Sequence, residues 1–230
     1  MIRNYSLKNQ WHRTSRWLST SLSIAAIALV GSANAQSTLI NESFEGAATW
    51  TFANTAATNV WIVGTATNNG GSNGAYITND AGVTNAYTLT TTSTNHIYFP
   101  LSVPAGESAI LLNFDWRSIG EFDATTIDYD YLRVSVSSAV PVAGTMPAVA
   151  DQLPMVFSGQ GNYRKAWVNL PAALAGAGTR YLIFSWRNDG SAGFQTPAAI
   201  DNVNVVSNVP APLSGTLTIP GTYGTIAEAI

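Results

Sequence analysis

The chain has 230 residues, of which 46% are hydrophobic and only 10% charged, with no cysteine and a formal charge of −3. Without cysteine there is neither a disulfide framework nor thiolate chemistry, so a fold outside the cell must be held by core burial or by metal. Lys and Arg are few and scattered, which excludes the clustered basic footprint of a nucleic-acid surface.

The first 35 residues stand apart from the rest. Arg3, Lys8, Arg13 and Arg16 form a basic start with no acid, residues 18–30 are a short apolar run, and Ala33-Asn34-Ala35 is a small-x-small cleavage site. This is the pattern of a secretory signal peptide, and the apolar run is shorter than the ~20 residues that span a bilayer. The expected mature chain starts at Gln36 and is secreted or displayed at the cell surface. Beyond residue 35, six basic residues face thirteen acidic ones, a net of −7. Such an excess suits cation binding or solubility.

From Gln36 onward the apolar period is two. Strands are predicted over residues 38–45, 61–63, 75–78, 87–89, 96–103, 112–117, 132–136, 182–187 and 199–205. Asn68-Asn69-Gly70-Gly71, Pro104-Ala105-Gly106 and Asp189-Gly190 are turn signals between them. The single helix candidate is residues 171–177. Many short strands with Gly- and Asn-rich turns predict an all-β fold, a jelly-roll-like antiparallel β-sandwich over residues 36–206. Residues 207–215, with Pro210 and Pro212, read as a linker. Residues 216–230 read as a strand, a turn and a first helical turn with a Thr225/Glu228 capping box, the start of a downstream domain.

The ordered pieces Glu42-Ser43-Phe44-Glu45-Gly46, Trp50, Trp61, Gly74-Ala75-Tyr76-Ile77, Phe114-Asp115-Trp116-Arg117 with Gly120-Glu121, Asp130-Tyr131-Leu132-Arg133-Val134 and Ala199-Ile200-Asp201-Asn202-Val203 resemble the choice-of-anchor J and cleaved-adhesin modules. These are MAM-like jelly rolls of secreted Bacteroidetes-type surface proteins. The resemblance covers roughly residues 38–206. It implies a jelly-roll sandwich, structural calcium and a non-catalytic adhesive or accessory role in a larger protein. The tail from Tyr223 to Ile230 is similar to the opening of right-handed β-helix domains.

Carboxylates interrupt both the first and the last strand, and a buried carboxylate is costly unless paired or metal-bound. First and last strands of a jelly roll are commonly neighbours. Glu42, Glu45 and Asp201 are therefore the candidate calcium ligands, with Asp80 closing the site from the loop 79–82; calcium takes six to eight oxygens. A second acidic group is Glu121, Asp123, Asp128 and Asp130. Paired carboxylates serve glycosidases, but the Glu-x-Asp-x-x-Glu strand of sandwich-fold glucanases lacks its last Glu here. The alternative is an acidic loop that holds Arg133 or a cation. His96 is the one histidine after residue 35 and is expected to be an ordinary strand residue. No Gly-x-Ser-x-Gly elbow, zinc-type cluster or phosphate loop is present. Trp116 and Trp186 are expected in the core. Trp50, Trp61 and Trp167 are either core or a sugar-stacking platform, with core the simpler assignment.

The expected function is a secreted, non-catalytic adhesion or accessory module that contacts a glycan or protein ligand through its loops. The rival readings are a polysaccharide-degrading enzyme, or its accessory domain, and a structural spacer.

Overall fold

In a computed structural model, residues 36–46, 49–122 and 128–208 are described. The expected signal peptide, most of the linker and the downstream segment lie outside them. The described chain forms twelve strands: β1 Gln36–Glu42, β2 Thr51–Ala53, β3 Val60–Gly64, β4 Gly74–Thr78, β5 Ser93–Leu101, β6 Ala109–Ser118, β7 Glu121–Phe122, β8 Asp128–Ser137, β9 Gln152–Phe157, β10 Gln160–Leu170, β11 Arg180–Asn188 and β12 Ala199–Asn208. Among the described residues no helix is long and apolar enough to cross a membrane.

Two antiparallel sheets face each other. The first runs β10-β6-β12-β4-β3, with β1 also on β12; the second runs β2-β5-β11-β8-β7, with β9 also on β8. This is the expected β-sandwich. Period-two alternation drives it: Ile110, Leu112 and Phe114 of β6 and Ala166, Val168 and Leu170 of β10 are buried, while the residues between them face out. At the centre, Phe114 and Phe184 meet edge to face at 4.9 Å, Phe114 meets Phe157 at 5.3 Å and Trp50 meets Phe184 at 5.8 Å. One aromatic from each sheet thus locks the layers together, each pair adding to plain area burial.

The structure departs from the predicted elements in specific places. Residues 87–89 are a connection rather than a strand, with Tyr87 buried beneath it. The helix expected over 171–177 is only a 3-10 turn, Ala172–Leu174; three residues cannot repay helix nucleation. The longest strand, β10, was not predicted at all. Strand β12 runs two residues into the segment expected to be a linker, with Ser207 buried and paired with Ile110 and Ser37.

The last strand carries the decisive irregularity. A bulge lies between Asp201 and Asn204, where β12 uses one residue more than β6, and Asn202 takes a left-handed φ of 49°. Strict alternation would bury Asp201 on the side of Val203 and Val205. The extra residue breaks that parity. Ile200, Val203 and Val205 join the core, while Asp201 is paired with the outward-facing Asp115. The same bulge marks a change of neighbour: Ala199 and Ile200 pair with β4, and residues 203–208 pair with β1.

Phe184→Ala is expected to cost about 3–5 kcal/mol, because a fully buried ring leaves a cavity that rigid sheets do not close. Urea unfolding at an unchanged denaturant slope would measure it; a cost below about 1 kcal/mol would contradict a single inter-sheet core.

Candidate functional site

The first place where function-bearing residues meet is the seam beside the β12 bulge. Asp201 lies directly across from Asp115, and both are buried. Their repulsion is met by donors from three directions. Lys165 Nζ lies 3.0 Å from Asp115 Oδ1. The side-chain amides of Asn69 and Asn202 donate to Asp115 Oδ2 at 3.0 and 2.8 Å. The Asn69 and Asn202 N–H groups donate to Asp201 Oδ2 and Oδ1 at 2.6 and 2.7 Å. Burial, opposed in part by these two N–H groups and reinforced by Asp115 and Glu45, raises the Asp201 pKa. Glu45 Oε1 accepts the Ser72 and Asn73 N–H groups. Gly71, at φ 73°, has room for this because a Cβ there would sit 2.3 Å from Glu45 Oε1. Glu42 stands opposite Val203, and its Oε1 accepts the Phe44 N–H at 2.6 Å.

Asp201 and Asp115 therefore lie together beside the 65–73 loop, with Glu45 close enough to reinforce the Asp201 shift, whereas Glu42, at the end of β1, turns its carboxylate to the Phe44 N–H. Asp80 follows the far end of β4, and its carboxylate closes its own loop by accepting the Thr78 and Thr84 hydroxyls at 2.6 Å each and the Thr84 N–H. The Thr78 hydroxyl, followed by Thr84, holds its pKa down to about 2. Asp80 is thus satisfied within its own loop, apart from the other expected ligands. Hard oxygen is what calcium takes, but among the described residues the three carboxylates whose oxygens converge within 4.8 Å are not these; they are Glu121, Asp130 and Asp189.

The second place is the outer face of the first sheet. The antiparallel register lines up Trp167 of β10, Asn113 of β6, Asn204 of β12 and Asn41 of β1 in one row across four strands. All four alternate with core residues, so their side chains point outward. Trp167 is 60% exposed, whereas Trp50 and Trp61 are 4% and 1% exposed. The core assignment holds for those two and fails for Trp167. Asn113 Nδ2 donates to Asn204 Oδ1 at 3.2 Å, and Asn204 Nδ2 donates to the Ile40 carbonyl at 3.1 Å. On one side of the row lies the Lys165–Asp115–Asp201 row with the 65–73 loop over it. On the other lie Leu111 and Val206, half-buried. An exposed indole beside a line of amides can stack a sugar ring and hydrogen-bond its hydroxyls.

The third place is an acidic trio. Carboxylate oxygens of Glu121, Asp130 and Asp189 lie within 4.8 Å of one another. Asp189, which follows β11, was not foreseen as a member. Asp130 is fully buried; its Oδ2 accepts the Tyr87 hydroxyl at 2.8 Å and its Oδ1 the Asp189 N–H at 2.9 Å. Burial pushes its pKa up to about 6, and burial likewise raises that of Tyr87. Asp123 lies outside the described residues, and Asp128 instead accepts the Ser158 hydroxyl. Arg133 donates to the Leu153 carbonyl at 3.1 Å, so the acidic-loop partner expected for it is not what it finds among the described residues. Of the trio only Asp130 is fully buried; Glu121 and Asp189 are half-buried. His96 is buried in β5, its Nδ1 2.8 Å from Ser185 Oγ and its Nε2 3.2 Å from the Val142 carbonyl. It is the strand residue expected.

A raised carboxylate pKa penalises the charged form in the fold. The contribution of Asp130 is therefore fullest below its ordinary pKa of about 4 and is lost as pH rises through about 6. Asp201 acts in the same direction. His96, whose pKa burial lowers, acts oppositely, its contribution being lost as pH falls. The difference between the wild type and Asp130→Asn isolates one group. In chelator, the Tm of the wild type is expected to fall relative to that of the variant as pH rises from about 4 to about 7; parallel curves would show that Asp130 titrates normally.

No protein-family model matches the chain, and no curated protein matches it. Solved structures do. The carbohydrate-binding module TmCBM61, solved with β-1,4-galactotriose, aligns at 11% identity and TM-score 0.43, over 74% of this chain and 97% of that one. The K3 cleaved adhesin domain of Lys-gingipain from Porphyromonas gingivalis W83 aligns at 18% identity and TM-score 0.43, over 74% of this chain and 100% of that one. The Stig cyclase Fisc from Fischerella sp. TAU aligns at 15% identity and TM-score 0.44, over 75% and 98%. Modules with glycan, adhesin and cyclase descriptions thus resemble the same sandwich, and at these identities none carries its ligand or activity over to this chain.

Proposed function

We propose that this chain is a secreted, non-catalytic accessory module that binds a glycan on the outer face of its first sheet. It belongs with the choice-of-anchor J and cleaved-adhesin type of jelly roll and serves a larger surface protein with a downstream domain. The observation that carries the reading is Trp167. A tryptophan that loses most of its burial on an ordered central stretch of strand, flanked by Ala166 and Val168 in the core, gives up stabilising area for no gain within the fold. An aromatic plane presented in this way is what a pyranose face stacks on. The ligand face is a sheet and not the loops expected from the sequence.

Calcium enters the same proposal as a structural ion. Glu42, Glu45 and Asp201 would hold it, and Asp115 stands beside Asp201. When bound, it supplies positive charge at the seam where one lysine faces several carboxylates, and it would tie the first strand to the last in a chain without disulfides.

Trp167→Ala is expected to abolish retention on glycan arrays and insoluble polysaccharides while moving stability by no more than about 0.5 kcal/mol, as an exposed site does. Unchanged retention would remove the sheet face as the site. Retention on host-matrix proteins with none on glycans would make the module a protein adhesin, and polysaccharide cleavage lost in Glu121→Gln would make it an enzyme. For the metal, the Tm is expected to be higher in calcium than in chelator, and Asp201→Asn should erase the difference. If Asp189→Asn erases it and Asp201→Asn does not, the ion sits at the acidic trio instead.

A further inference from the structure

We propose that Trp167, Asn113, Asn204 and Asn41 form a single binding row for a neutral, extended oligosaccharide that lies across the strands of the first sheet, starting on Trp167. The inference rests on the glycan-binding reading and specifies its ligand class, its direction and its length.

The direction follows from register. The four side chains are mutual cross-strand neighbours, Trp167 with Asn113, Asn113 with Asn204 and Asn204 with Asn41. They therefore succeed one another perpendicular to the strands at the inter-strand spacing of about 4.8 Å. That spacing is close to the length of one pyranose in an extended chain. Three such steps, about 14 Å in all, accommodate a tri- to tetrasaccharide with its first ring on the indole and later rings over successive amides. A chain running along a strand would meet Lys165, Trp167 and Asn169 instead and leave the amides of Asn113, Asn204 and Asn41 unused.

The charge class follows from the neighbouring row. Lys165 is the basic side chain beside Trp167, and Asp115 already neutralises it at 3.0 Å. Arg117 is held by Asn85 Oδ1 at 2.7 and 3.2 Å and lies over the Tyr163 ring at 5.6 Å. The buried Asp201 adds negative charge close by. No free cation among the described residues stands over the row to receive a carboxylate or sulfate. Amides are both donors and acceptors, which suits vicinal hydroxyls. The Asn113–Asn204 bond consumes one donor and one acceptor and fixes both planes, so the remaining valences point out of the sheet already ordered, which lowers the entropy lost on binding. The bulge is part of the device: only because β12 gains a residue between Asp201 and Asn204 does Asn204 face outward between two buried valines.

Titration calorimetry of the mature chain with cello-, xylo-, manno- and galacto-oligosaccharides, from di- to hexasaccharide, tests this, with oligogalacturonides as the acidic arm. Affinity is expected to climb to the tetrasaccharide and then level off, and to favour neutral chains. Asn113→Ala should weaken trisaccharide and longer ligands about three- to tenfold, the loss of a neutral hydrogen bond. Asn41→Ala, at an exposed position that leaves the Asn113–Asn204 bond intact, should remove the gain from tri- to tetrasaccharide and leave disaccharide affinity unchanged. Trp167→Ala should remove all binding. If Trp167→Ala abolishes binding while both asparagine variants bind every length like the wild type, the row is overturned and the glycan reading stands. Preference for the acidic arm overturns the neutral class. No binding of any oligosaccharide by the folded wild type overturns the row together with the reading it rests on.

Discussion

The one-residue bulge of β12 is the constraint on which the rest of this structure depends. A strand that must bury Ile200, Val203 and Val205 while keeping Asp201 out of the apolar core cannot obey strict alternation. The extra residue at Asn202 resolves the conflict, and three consequences follow. Asp201 is set against Asp115 under the 65–73 loop, where backbone and side-chain amides satisfy it. The strand changes its neighbour from β4 to β1. Asn204 emerges on the outer face in line with Asn113 and Trp167.

The seam and the row proposed for binding are therefore mechanically joined. The same two strands, β6 and β12, present buried charge in one register position and an amide pair in the next. Two carboxylates opposite each other would destabilise an exposed pair of strands. Here one lysine and two asparagines offset the repulsion, and the Glu45 carboxylate anchors the loop through Ser72 and Asn73. An ion at this seam would stiffen the floor beside the row without touching the ligand. The acidic trio at β7, β8 and the loop after β11 is a separate store of buried charge, built around a Tyr87–Asp130 hydrogen bond, and it tunes stability with pH.

Local chemistry made much of this legible in advance. Val134 and Val136, and Leu112 and Phe114, are separated by polar Ser135 and Asn113, and each pair sits in the core where period-two reasoning puts it. Glu42, Glu45 and Asp201 stand out in the sequence because acids in apolar strands demand an explanation; the fold buries Asp201 beside Asp115 and leaves Glu42 on the Phe44 N–H. Strand β10 escaped notice for the opposite reason. Its outward-facing Trp167 breaks the apolar-in, polar-out pattern between Ala166 and Val168. The feature that hid the strand is the one on which the proposed glycan site rests, a tryptophan 60% exposed between two core residues.

By itself the sequence determined the sandwich and the aromatic core, because alternation and aromatic size act over a few residues. Only the tertiary structure decided that Asp80 serves its own loop, that Asp189 joins Glu121 and Asp130, and that four residues from positions 41 to 204 form one row. Those outcomes depend on strand order and register, which are set by long-range pairing and by a single inserted residue, and no local pattern encodes either.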